Sequence, residues 1–127
     1  MMQLLIVDDS DLIRASLTRL MERIQGVGAI HTANTLAQAM QSVQRMAPAL
    51  LILDLHLPDG NALQMIPTLK RLAPSMLIAI LTNDANEFNR DKCLSAGAHW
   101  FFDKSSEFQN LIDTIQTRVA PHFRTEP

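Results

Sequence analysis

The stretch Leu50-Leu51-Ile52-Leu53-Asp54-Leu55-His56-Leu57-Pro58-Asp59-Gly60 decides how the rest of the chain is read. Leu50 to Leu53 form a short, unbroken apolar run with no polar alternation, the pattern of a strand buried on both faces. The run stops at an acid, Asp54, and Pro58-Asp59-Gly60 is a turn signal. A strand covered on both sides needs a layer on each side, which points to a parallel sheet between helices.

Outward from that stretch the same pattern recurs. Leu4-Leu5-Ile6-Val7 ends at Asp8-Asp9, Met76-Leu77-Ile78-Ala79-Ile80-Leu81 ends at Thr82, and Trp100-Phe101-Phe102 ends near Lys104. Ala29-Ile30-His31-Thr32-Ala33 is a less apolar strand, expected nearer an edge. Leu12, Ile13, Leu17, Leu20, Met21 and Ile24 recur at helical spacing before Gly26. Asn34 or Thr35 caps a second helix to about Met46, closed by Pro48. A third is expected over residues 62–72, where Pro67 imposes a kink or a late start. A weakly amphipathic fourth covers residues 86–95 and stops at Gly97; Phe108, Leu111, Ile112, Ile115 and Val119 line a fifth. Five strands alternating with five helices predict an α/β domain with right-handed crossovers.

Composition agrees. The chain has 127 residues, 47% of them hydrophobic and 19% charged, enough for one core and against disorder. Eleven basic residues against 13 acidic ones give a net charge of -2, with no surplus to attract nucleic acid or an anionic membrane. The one cysteine, Cys93, excludes an internal disulfide and a thiolate metal cage, as suits a reducing, cytoplasmic compartment. No apolar run reaches the ~18–20 residues of a membrane span, and the first residues lack the basic region and cleavage site of a signal peptide. The expected division is a domain over residues 1–119 and a tail or linker stub over residues 120–127, with no space for an effector.

Parallel strands bring their carboxyl ends to one rim, where ligands of open α/β sheets bind. Asp8, Asp9, Asp54, Thr82 and Lys104 are expected to meet there. Close carboxylates repel one another, and a hard divalent cation relieves this; Mg²⁺ suits oxygen ligands. Lys104 is a compact charge fit for a phosphoryl oxygen, and Thr82 can donate to another. A carboxylate beside Mg²⁺ can attack phosphorus and form an aspartyl phosphate. The plainer alternative is that Asp8, Asp9 or Ser10 merely caps the next helix. Asp54 does not fit that alternative, since it precedes a loop.

These motifs resemble the receiver domain of two-component response regulators, over residues 4–119. The carriers are Leu5-Ile6-Val7-Asp8-Asp9-Ser10 with Arg14, then Leu51-Ile52-Leu53-Asp54 through Pro58-Asp59-Gly60. Ile80-Leu81-Thr82 and Ser95-Ala96-Gly97-Ala98 through Phe101 to Lys104 complete the set. The resemblance implies a flavodoxin-like, doubly wound (βα)5 three-layer sandwich with strand order 2-1-3-4-5. It implies that Asp54 is the phosphoacceptor. Mg²⁺ would be held by Asp9, Asp54 and the backbone carbonyl of His56, and by Asp8 through water. Lys104 and Thr82 would contact the phosphoryl group, and Phe101 would turn inward as the switch closes. The implied donor is a sensor histidine kinase or a phosphotransfer protein of a bacterial phosphorelay. Output would pass in trans to a protein target, through the face built from the fourth helix, fifth strand and fifth helix. The expected protein is a monomer or weak dimer that contacts neither DNA nor membrane directly. It is no enzyme beyond slow self-phosphorylation and autodephosphorylation.

The chain departs from the family pattern in places. Ser105 stands where a proline usually follows the lysine through a cis bond. A cis bond before a non-proline residue costs ~2.5–4 kcal/mol, so either the bond is trans and the loop differs, or site contacts offset the cost. Asn83 is larger than the small residue preferred after the threonine and bears on access to the phosphoryl site. Ala62 stands where glycine is frequent. His56 and Asp84, two residues past Asp54 and Thr82, are candidate modulators of phosphoryl lifetime; the alternative is exposed loop residues without a role. Phe102, facing opposite to Phe101, reads as core. Two rival functions remain open. One is a phosphorylation-independent binding module that keeps the fold, resting on Asn83 and Ser105. The other is an aspartyl-nucleophile phosphatase, weakened by His56 standing where one such family has a second acid.

Overall fold

The apolar runs are strands because every residue in them has a layer to face. The computed structural model describes residues 1–123; residues 124–127 lie outside the described residues. The strands of the main sheet are β1 (Met2–Val7), β2 (Val27–Ala33), β3 (Leu50–Leu53), β4 (Leu77–Thr82) and β5 (Trp100–Asp103). The helices are α1 (Asp11–Glu22), α2 (Leu36–Met46), α3 (Ile66–Leu72), α4 (Glu87–Ala96) and α5 (Phe108–Thr114). The sheet order is β2-β1-β3-β4-β5 and every pairing in it is parallel. This is the expected doubly wound sandwich. β2, the least apolar strand, lies at an edge and exposes part of its length.

Alternate residues of each strand point into opposite layers. Leu5, Val7, Leu51, Leu53, Ile78, Ile80 and Phe101 share one core cluster with Leu36 and Val43 of α2, Ile66 and Leu69 of α3, and Cys93 of α4. Leu4, Ile6, Leu50, Ile52, Ala79, Leu81 and Phe102 share the other with Leu17 and Met21 of α1 and Leu111 and Ile112 of α5. Trp100 is half-buried against that second cluster.

Local chemistry sets the ends of the helices. Ser10, Thr35 and Asn86 cap α1, α2 and α4, each side chain accepting a backbone N–H of the first turn. Gly97, at φ +123°, ends α4 in a conformation that L side chains rarely adopt. Pro67 acts as a late start. It lacks an N–H, so a single helix from Ala62 would lose a bond there. Instead a 3₁₀ turn (Ala62–Met65), capped by Asn61, comes first, and α3 begins at Ile66 with Pro67 in its first turn. Past α5 the path continues through a π turn (Ile115–Val119) into a 3₁₀ turn (Ala120–Phe123). Ala120 is fully buried there and Phe123 packs on the second cluster.

Candidate functional site

β1 and β3 are neighbours in register, with Val7 opposite Leu53. The residues that follow them, Asp8 and Asp54, therefore emerge side by side, and the Asp54 amide donates to the Val7 carbonyl at 3.0 Å. Asp8 and Asp54 are buried, whereas Asp9 is exposed. Carboxylate oxygens of all three lie within 4.8 Å of one another.

Lys104 arrives from β5, two strands away. Its backbone amide donates to the Thr82 carbonyl at 2.9 Å, which extends the β4–β5 ladder past the strand ends. Its ammonium donates to Asp8 Oδ2 at 2.7 Å and to Asp54 Oδ2 at 3.0 Å. Burial by itself would lower the Lys104 pKa, but the bonds to Asp8 and Asp54 outweigh it and hold the pKa above the ordinary lysine value. One cation thus sits across two buried anions, with the exposed Asp9 beside them.

Helix capping does not account for the acids. Ser10 performs it, accepting the Ile13 amide at 3.2 Å. Asp8 accepts the Ser10 amide at 2.8 Å and still faces Lys104. Arg14 reaches back from α1 to the Asp8 carbonyl and also pairs with Asp11.

Thr82 is fully buried at the end of β4, and its hydroxyl accepts the Asp84 amide at 3.1 Å. Asp84 organises this loop. Its carboxylate meets His56 Nε2 at 2.8 Å, and its carbonyl accepts from Asn89 Nδ2 at 2.9 Å. The His56 bond, ahead of smaller contributions, keeps the Asp84 pKa below the ordinary carboxylate value. The two expected modulators therefore touch each other, joining the loop after Asp54 to the loop after Thr82. Asn83 is exposed. Phe101 is buried in the layer of α2, α3 and α4, and Arg90 Nη1 donates to its carbonyl at 3.3 Å.

The Lys104–Ser105 bond is trans, as are all peptide bonds among the described residues. The loop is built on Asp103. Its carboxylate accepts the Ser105 amide at 2.9 Å and the Ser105 hydroxyl at 2.7 Å. Its own amide donates to Glu107 Oε1, and its carbonyl accepts the Glu107 amide. The Ser105 bonds, hydroxyl first, hold the Asp103 pKa below the ordinary value.

Asp59 is the residue that the motifs did not single out for a contact. Its carboxylate binds the first two amides of α2, those of Leu36 at 2.8 Å and Ala37 at 3.0 Å. These bonds hold its pKa below the ordinary carboxylate value. No local pattern marks such a contact, because the partners are 23 and 22 residues away.

Carboxylates and a lysine thus meet at the switch point of a 2-1-3-4-5 parallel sheet, the place where open α/β sheets bind their ligands. The family model described as the response regulator receiver domain matches residues 4–116, and the chain belongs to this family. A Pseudomonas aeruginosa protein provisionally named a transcriptional regulator is 33% identical over 127 residues, covering 98% of this chain. The chain spans 61% of that relative's length. The signal receiver domain of a DNA-binding response regulator from Colwellia psychrerythraea 34H shares the fold. Its TM-score is 0.85 at 21% identity, covering 94% of this chain and 98% of that one. So does a Burkholderia pseudomallei response regulator that carries a phosphorylated aspartic acid, a calcium ion and citrate. Its TM-score is 0.82 at 23% identity, covering 96% of this chain and 70% of that one. Among the described residues no helix is long and apolar enough to cross a membrane.

Proposed function

We propose that Asp54 accepts a phosphoryl group from a phosphohistidine on a sensor kinase or phosphotransfer protein. The observation that carries this is Lys104 Nζ lying 2.7 Å from Asp8 and 3.0 Å from Asp54 beside the exposed Asp9. An Asp54 carboxylate oxygen attacks phosphorus, the phosphorus–nitrogen bond breaks, and the donor imidazole leaves with its electron pair. Lys104 already contacts both buried carboxylates, so it can follow the charge as it spreads onto the transferring group.

The donor set fits a divalent cation: three carboxylates with oxygens within 4.8 Å, one of them open to solvent. Asp9, Asp54 and the His56 carbonyl would hold Mg²⁺, with Asp8 acting through water. Bound there, the ion neutralises oxygen charge on the phosphoryl group. The new charge on Asp54 draws the Thr82 hydroxyl away from the Asp84 amide. Phe101, which packs in the layer of α4, carries that shift to the face of α4, β5 and α5, where a target protein docks. Catalysis is confined to the protein's own phosphorylation and dephosphorylation.

The test is incubation with a phosphodonor and Mg²⁺. A label on the wild type that is absent in Asp54→Ala is expected. Equal labelling of the variant overturns the assignment.

A further inference from the structure

The hairpin that follows Asp54 is too small to hold itself. His56–Leu57 pairs with Gly60–Asn61, two residues on each side, joined by Pro58 and Asp59. Longer isolated hairpins are already marginal in water. Leu57 is buried in the first core cluster and the His56 side chain reaches Asp84, but the hairpin's turn is held by the first turn of α2. The two Asp59 oxygens take the amides of Leu36 and Ala37, which have no acceptor within the helix, and Thr35 takes that of Gln38 at 3.1 Å. The positive end of the helix favours the charge as well. Packing adds to the bonding: at Gly60, φ +146°, an added Cβ would lie 3.3 Å from Leu36 Cδ1.

We propose that Asp59 is a positioning residue of the phosphoacceptor site: its carboxylate ties the hairpin to α2 and so holds the His56 carbonyl in place as a metal ligand. This rests on the reading of the site given above. The other ligands need no such tie. Asp8, Asp9 and Asp54 follow directly on β1 and β3 in the centre of the sheet, and Arg14 grips the Asp8 carbonyl. His56 belongs instead to the separate two-stranded hairpin, three residues from Asp59. Its backbone is only as steady as what anchors that hairpin.

The experiment titrates the full chain with Mg²⁺ alone by calorimetry and follows the amide signals of Leu36, Ala37 and His56. Losing the partner that orients a ligand typically weakens metal binding 10–100-fold, and about tenfold is expected for Asp59→Ala, where one ligand of several is loosened. Ala37→Pro is the companion variant. It deletes one donor, keeps the Asp59 charge, and puts proline in the first turn of a helix, as Pro67 already is in α3. Weaker Mg²⁺ binding in both variants, with a smaller loss in Ala37→Pro, supports the anchor. Wild-type affinity in Asp59→Ala overturns it and leaves the metal site standing. Weaker binding in Asp59→Ala but not in Ala37→Pro assigns the effect to charge and overturns it too. A wild-type chain that binds no Mg²⁺ removes the metal reading and this proposal together. Should Asp59→Ala fail to fold, Asp59→Asn keeps one acceptor and replaces it, judged by the same outcomes.

Discussion

Two segments leave the same rim of the sheet and are held in opposite ways. β1 runs through Asp8 and Asp9 into α1, which buries Leu17 and Met21 completely. β4 runs through Thr82 into α4, which buries Cys93 alone. The entry to α4 depends on polar hooks: Asp84 to Thr82, Asn89 and His56. A fully buried leucine stabilises by about 1.5–3 kcal/mol, whereas a hydrogen bond nets about 0.5–1.5 kcal/mol because water competes for both partners. The first segment suits a fixed pair of acids. The second suits a moving part, since its hooks can be exchanged for others at little cost.

The sharpest way to break this contrast is a pair of truncations. Leu17→Ala should destabilise by about 2–5 kcal/mol, through lost burial and the cavity left behind. Cys93→Ala should cost about 1 kcal/mol, since a small side chain is removed. Urea unfolding measures both, and equal losses would dissolve the difference between the helices.

A smaller effect isolates one hook, the Asp84 carboxylate on His56, because the bonds to Thr82 and Asn89 use the Asp84 backbone. Asp84 is half-exposed, so Asp84→Ala should change stability little. It should still shift the amide signals of Thr82 and Asn89 while leaving that of Leu17 in place. A Leu17 shift of the same size means that the two segments move as one.

The smallest effect is a pH dependence at the far end of α4. His99 Nδ1 accepts the Ile78 amide at 3.1 Å, which only the neutral ring can do. Burial, helped by the charge of Lys70, lowers the His99 pKa below its ordinary value. A lowered folded pKa means that its contribution is complete above the unfolded value, ~6.5, and is lost as pH falls through the folded one. Thermal midpoints measured from pH 8 to pH 5 should fall slightly, and His99→Gln should flatten that step. A step that persists in the variant belongs to another group.

Much of this was legible because it is local. An apolar run ending at Asp8, Asp54 or Thr82 marks both a buried strand and the group at its end. The weak apolarity of β2 placed it at an edge. Pro67 announced trouble in the third helix but left two outcomes open; the missing N–H and the Asn61 cap chose the late start. Ser105 likewise left its loop undecided until the Asp103 bonds specified the path. The flagged His56 and Asp84 looked like separate residues, and only the packing of their loops pairs them.

By itself the sequence determined which segments are strands, which are helices, and which chemistry stands at each strand end, since burial and periodicity are read from neighbours along the chain. Only the tertiary structure decided that Lys104 spans Asp8 and Asp54, partners 96 and 50 residues away, and that Asp59 closes the start of α2. Those contacts follow from strand order and the course of the loops. Both emerge from packing the whole chain at once, so no single stretch of residues records them.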